Sequence, residues 1–158
     1  MSTGTSPHPR FHRPVESYNG NEPFIYFSYS HAYRSYVREV ARLLSEKGVR
    51  VFTDGGESTI NMPEQFYERI KNCSAFVLDL NHRSVDSQRV RKEIRSITKN
   101  TPIILLEGKK TSLDPELSHI FVRAQHLKIK PILLKNKRHL PEYTVKKLLP
   151  LLPKEVQG

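Results

Sequence analysis

Pro23-Phe24-Ile25-Tyr26-Phe27-Ser28-Tyr29-Ser30-His31 is the stretch on which the reading of this 158-residue chain turns. The apolar run from Phe24 to Phe27 is too short for a helix and rich in aromatic and β-branched types. That is the pattern of a central strand buried on both faces. The period then changes. Tyr33, Tyr36, Val37, Val40, Ala41 and Leu44 recur at helical spacing along one face, and Gly48 supplies a left-handed stop. Val49-Arg50-Val51-Phe52 reads as a second strand, broken by Asp54-Gly55-Gly56, whose residue types tolerate positive φ. A strand, an amphipathic helix and a second strand form the repeating unit of a parallel sheet.

The same alternation continues outward from this unit. Pro63 suits the first turn of a second helix that turns Phe66 and Ile70 inward, and Ala75-Phe76-Val77-Leu78-Asp79-Leu80 is a third strand with Asp79 as its one anomaly. Val90, Ile94 and Ile97 mark a third helix ending near Asn100, and Pro102-Ile103-Ile104-Leu105-Leu106 is a fourth strand. Residues 113–121 are expected to include a short helix, residues 125–129 a fifth strand, and residues 141–149 a closing helix that starts on proline. Five strands joined by right-handed helical crossovers predict an α/β flavodoxin-like doubly wound sheet. Its five parallel strands run in the order 2-1-3-4-5, with helices on both faces. Residues 1–22, rich in Pro, Ser, Gly, Asn and His, read as a flexible leader; residues 23–153 form the domain and 154–158 a tail.

Bulk properties narrow the function. Charged residues make up 27% and hydrophobic ones 37% of the chain, and no apolar run approaches the ~18 residues of a spanning helix. The first residues hold no apolar signal-peptide core, so a cytoplasmic location and no membrane partner are expected. The single cysteine, Cys73, excludes an internal disulfide and a cysteine-cluster zinc site, and its setting is that of a small core residue. The 26 Lys and Arg against 16 Asp and Glu leave a net charge of +10. Between Leu117 and Pro141 no carboxylate appears, whereas Arg123, Lys128, Lys130, Lys135, Lys137 and Arg138 do. Such a field attracts phosphates of any kind, or serves as a solvated face. A nucleic-acid role is disfavoured there, because aromatic residues hardly interleave with the cations. No Walker loop, G-x-G-x-x-G or G-x-S-x-G follows a strand, and the seven histidines lack metal-ligand spacing, so no metal or bound cofactor is expected.

In the predicted sheet the ligand crevice lies outside the carboxyl ends of strands one and three, where the chain reverses direction. Ser28, Tyr29, Ser30, His31 and Arg34 enter it from one side. Asn81, Arg83, Ser84, Ser87 and the start of the third helix enter from the other. Ser28 and Ser30 can offer hydroxyls and backbone N–H groups to a ribose or pyrophosphate, with Arg34 as a phosphate partner. Ser30 and Ser87 equally fit as helix caps. Asp54 either faces the crevice or begins the turn with the glycines after it, and His31 reads as an exposed loop residue with no catalytic role.

The run from Pro23 to His31, the segment Gly48-Val-Arg-Val-Phe-Thr-Asp54 and the segment Ser87-Gln-Arg-Val-Arg-Lys-Glu93-Ile together resemble the Toll/interleukin-receptor (TIR) homology domain, particularly its single-domain bacterial members. The stretch from Leu113 to Leu127 is similar to the approach to the last strand in those proteins. The resemblance implies the same five-stranded sheet. For many members it also implies cleavage of NAD, as substrate, at the nicotinamide–ribose bond, giving nicotinamide and ADP-ribose or an ADP-ribose-derived signal in immunity or host interference. Other members signal without chemistry, by stacking with themselves or other TIR domains through the loop after strand two, here from Asp54 to Met62. The family's glutamate closes a Ser-x-Trp-Cys-x-x-Glu motif, and the matching position is Glu93, with Arg89 in place of tryptophan and Val90 in place of cysteine. Nicotinamide in oxidised NAD is a cationic leaving group, so a single carboxylate near the ribose suffices. With Val90, Ile94 and Ile97 inward, Glu93 is expected at the edge of the buried face; the alternative is a surface pair with Arg89 or Lys92.

Overall fold

The computed structural model describes residues 17–54, 62–108, 112–135 and 137–158. Five parallel strands, β1 (Ile25–Ser28), β2 (Val51–Phe52), β3 (Ala75–Leu80), β4 (Ile103–Glu107) and β5 (Ile132–Leu133), pair in the order β2-β1-β3-β4-β5. The predicted order 2-1-3-4-5 is thus the observed one. In register, Ile25 of β1 pairs with Val51 of β2 and Ala75 of β3, and Phe76 pairs with Ile103 of β4. β1 and β3 are therefore central, and every residue of both is buried. Continuous apolar runs belong there because helices cover both faces.

The two-residue period of the strands splits the core into two layers. Ile25, Phe27, Val77, Ile104 and Leu106 face α1 (Arg34–Glu46) and α5 (Leu140–Leu148), which contribute Val37, Val40, Ala41, Leu44, Val145 and Leu148. Tyr26, Phe76, Leu78, Ile103 and Leu105 face α2 (Glu64–Lys71), α3 (Gln88–Ser96) and α4 (Pro115–His126). Each fully buried Leu, Ile or Phe contributes about 1.5–3 kcal/mol of transfer free energy to its layer. On this second face Tyr26 and Ser28 point the same way, and Ser28 is the residue that carries the layer to the carboxyl edge.

The helix ends follow local chemistry. Ser87 accepts from Val90 N–H and Asp114 from Leu117 N–H, capping α3 and α4, and Pro115 opens α4. Gly48 ends α1 with φ 84°, and a Cβ there would lie 2.8 Å from the Gly158 carbonyl oxygen. The outer edge of β2 is covered by both ends of the described chain. Tyr18 N–H donates to Val51 O at 2.8 Å, Arg50 N–H donates to Val156 O at 3.0 Å, and Val49 bridges Gln157. Covering a sheet edge in this way removes a site for unwanted strand pairing. The leader expected over residues 1–22 lies outside the described residues up to residue 16; Ser17 continues the edge contact by accepting from Thr53 N–H and donating to Thr53 O. In the expected tail over 154–158, Val156 is wholly buried.

The carboxy-terminal third differs from expectation. The predicted fifth strand at 125–129 is instead the end of α4, which runs on to His126, and the strand proper is Ile132–Leu133. Leu117, Ile120 and Ala124 fall at helical spacing on one buried face, so packing carries the helix past the point at which the sequence suggested a break. Lys128 then closes α4 in the left-handed region, with φ 60°.

Candidate active site

β1 delivers Ser28 to the carboxyl edge of the sheet, and α3, whose first turn is capped by Ser87, delivers Glu93 above it. The Ser28 hydroxyl donates to Glu93 Oε1 at 2.6 Å, and both residues are fully buried. The other carboxylate oxygen, Oε2, accepts from Arg89 Nη1 at 2.7 Å. The same Arg89 nitrogen lies 2.9 Å from Asp54 Oδ2, and Nη2 donates to the Tyr29 carbonyl. Asp54, just past β2, also accepts from the Tyr29 hydroxyl at 2.9 Å and pairs with His31 Nε2 at 2.8 Å. Three connections of the chain therefore meet over one small cluster: the ends of β1 and β2 and the middle of α3.

Two carboxylates share one guanidinium in a space closed to solvent. Burial pushes the Glu93 carboxyl up to about 7, against the pull of Arg89 and the Ser28 hydrogen bond, and the negative charge of Asp54 adds to the rise. Burial opposes the Arg89 charge, but Glu93 and Asp54 more than offset it, so the guanidinium is held more firmly ionised. Burial likewise raises the Tyr26 and Tyr29 phenols, and the nearby carboxylates raise them further. The Tyr26 hydroxyl is completely buried and makes no hydrogen bond among the described residues, although it lies close enough to help draw the Glu93 carboxyl down. A carboxyl poised near neutrality in a closed polar cluster is the kind of group that reaction centres use.

The residues singled out from the sequence separate into three groups. Ser28, Asp54 and Glu93 are brought together. Ser30, Ser84 and Ser87 are near by but turn their hydroxyls to their own chain: Ser30 accepts from Ala32 N–H, Ser87 from Val90 N–H, and Ser84 both accepts from Asn81 N–H and donates to Asn81 O. Arg34 and Arg83 are exposed at the rim. His31, read from the sequence as a bystander, is instead paired with Asp54, its side chain 31% exposed. Between the two sequence readings of Glu93 and Arg89, the surface pair is excluded, since Arg89 is 7% and Glu93 0% exposed. The loop from Asp54 to Met62 lies outside the described residues except at its two ends.

Sequence reasoning missed Tyr26 as a neighbour of the acid, although it shares the strand face of Ser28; it placed Tyr29 and His31 in the crevice without the Asp54 contacts that hold them there, and gave Arg89 to Glu93 only as a surface pair. A groove of about 510 Å³ between α3 and α4, lined by Ile94, Arg95, Glu116, His119 and Arg123 among others, includes neither Ser28, Asp54 nor Glu93. Among the described residues no group of three or more His, Cys, Asp or Glu is arranged to hold a metal ion, and no helix is long and apolar enough to cross a membrane.

The strand order and the acid above the first strand define a flavodoxin-like doubly wound domain with a buried carboxylate at its topological switch point. The crystal structure of a diflavin flavoprotein A3 from Nostoc sp. is similar at a TM-score of 0.47 and 12% identity, over 84% of this chain and 99% of that one. The model of the TIR domain family matches residues 25–130, from β1 to just before β5, and the chain belongs to that family. This places it among signalling domains. No curated protein matches the sequence.

Proposed function

We propose that this TIR domain cleaves NAD at the nicotinamide–ribose bond, with Glu93 as the catalytic residue. The observation that carries the reading is the buried 2.6 Å contact between Ser28 and Glu93, which ties the acid to the strand end where this sheet type takes its ligands. In the reaction the C1′–N bond breaks, its electron pair leaves with the nicotinamide nitrogen, and the ring cation becomes neutral nicotinamide. Positive charge passes to the ribose as an oxocarbenium-like species. A fixed carboxylate beside the ring hydroxyls orients the sugar and favours that charge by about 2–4 kcal/mol. Water or another nucleophile then bonds to C1′ and releases its proton, giving ADP-ribose or a cyclised or conjugated product. NAD is the substrate, and no further cofactor is needed for this step. The role that fits such a product is immune or host-interference signalling.

A second reading, a scaffold that signals by homotypic assembly through the loop from Asp54 to Met62, draws on a specific observation. Glu93 is wholly closed to solvent, with Ser28 on one oxygen and Arg89 on the other, so a sugar meets it only after the cover over the cluster opens. Incubating the purified chain with NAD at several protein concentrations separates the two readings. Nicotinamide release by the wild type and its loss in Glu93→Gln support the enzyme. Silence of both, with self-association intact, supports the scaffold.

A further inference from the structure

We propose that Arg89 is a positioning residue of this site, gripping Glu93 and Asp54 with one guanidinium nitrogen so that the acid stays turned toward Ser28 and tied to the end of β2. The inference rests on the proposed role of Glu93, but its geometry stands apart from any reaction. Arg89 Nη1 lies 2.7 Å from Glu93 Oε2 and 2.9 Å from Asp54 Oδ2. Its Nη2 is occupied by the Tyr29 carbonyl, and its Cζ is 5.7 Å from the Tyr29 ring centroid. A planar guanidinium can hold three such partners from three segments at once. A lysine ammonium, a point charge on a flexible stem, cannot reproduce the fork.

The consequence is electrostatic. The ionisable groups coupled to Glu93 are Tyr26 from β1, Tyr29 beyond it, Asp54 after β2, Tyr67 from α2 and Arg89 from its own helix. Of these only Arg89 is cationic. Burial and Asp54 both push Glu93 toward its neutral form, which lacks the charge needed beside a developing oxocarbenium. Arg89 is the counterweight that keeps a working fraction ionised near neutral pH, while holding the side chain in one orientation.

The test uses the full chain with carbon-13-labelled glutamate, the Glu93 carboxyl signal being assigned by its disappearance in Glu93→Gln. In Arg89→Gln the midpoint of that signal is expected to rise by about one pH unit or more, which from a starting value of about 7 is a roughly fivefold or greater fall in the ionised fraction at neutral pH. Nicotinamide release falls in parallel and partly recovers at alkaline pH. Arg89→Lys keeps the midpoint near the wild-type value but lowers kcat more than it changes KM, because charge is restored without the fork. If Arg89→Gln fails to fold, Arg89→Lys carries the test through its kcat and KM. An unchanged midpoint in Arg89→Gln, or a kcat in Arg89→Lys equal to the wild type when that variant stands in, overturns the proposal. So does release by Arg89→Gln equal to the wild type. A wild type that releases no nicotinamide at all counts against the proposed activity, and the titration still judges Arg89 on its own.

Discussion

Replacing Asp79 by asparagine should remove most of one component of the pH dependence of stability. Asp79 lies near the carboxyl end of β3 and points to the α1 and α5 side of the sheet, opposite Glu93, with 2% exposure. Its hydrogen bond among the described residues comes from Asn81 Nδ2, at 3.1 Å to Oδ2, and burial pushes its carboxyl from 3.8 up to about 7 despite that bond. An acid whose folded value is raised favours the native state fully below its unfolded value, and that contribution is lost as pH rises through the folded one. A rise of this size corresponds to a swing of about 4 kcal/mol, of which about 3 kcal/mol falls between pH ~5 and pH ~8.5. Urea unfolding of wild type and Asp79→Asn at those two pH values gives the comparison directly. The variant should gain about 3 kcal/mol on the wild type between acid and alkaline conditions, and the subtraction cancels Glu93, which titrates with the same sign in the same window. Equal pH dependence in the two proteins would show that Asp79 is not held neutral by its surroundings, and the reasoning from burial would fail.

Other substitutions probe the backbone and the core. Lys128→Gly should raise stability by about 0.5–1 kcal/mol in thermal or urea melts, because lysine at φ 60° carries a steric penalty that glycine lacks. Gly48→Ala should lower it by more than about 1 kcal/mol, since the position combines φ 84° with the close Gly158 carbonyl. The Cys73 thiol, pushed up to about 12 by burial, should resist alkylation in the native protein at neutral pH and react once urea unfolds the chain.

How much of this was legible beforehand depends on where each residue's environment is decided. The central strands were readable because β1 and β3 are buried on both faces, which forces an apolar run, interrupted in β3 by Asp79, that a short window detects. Gly48 and Ser87 were readable because stops and caps are local chemistry, settled within a few residues. The fifth strand was not. It is two residues long and follows Pro131, and its neighbour α4 is fixed by tertiary contacts of Leu117, Ile120 and Ala124 that no local propensity reports. The site was half legible. Ser28 and Glu93 follow from topology and motif, and helical spacing puts Glu93 at the edge of the buried face, but nothing local says that Arg89 goes inside with it. What takes it inside is Asp54, arriving from another connection with the second carboxylate that the guanidinium needs. Burial of a charge is a property of its partners, and those partners are far apart in the chain.

The most direct test of the account is a structure of the protein with NAD or a non-cleavable analogue bound. A ribose hydroxyl should lie within about 2.6–3.2 Å of the Glu93 carboxylate, with Arg89 still on Oε2. A nucleotide bound elsewhere, with no sugar oxygen near Glu93, would contradict its role as the catalytic acid.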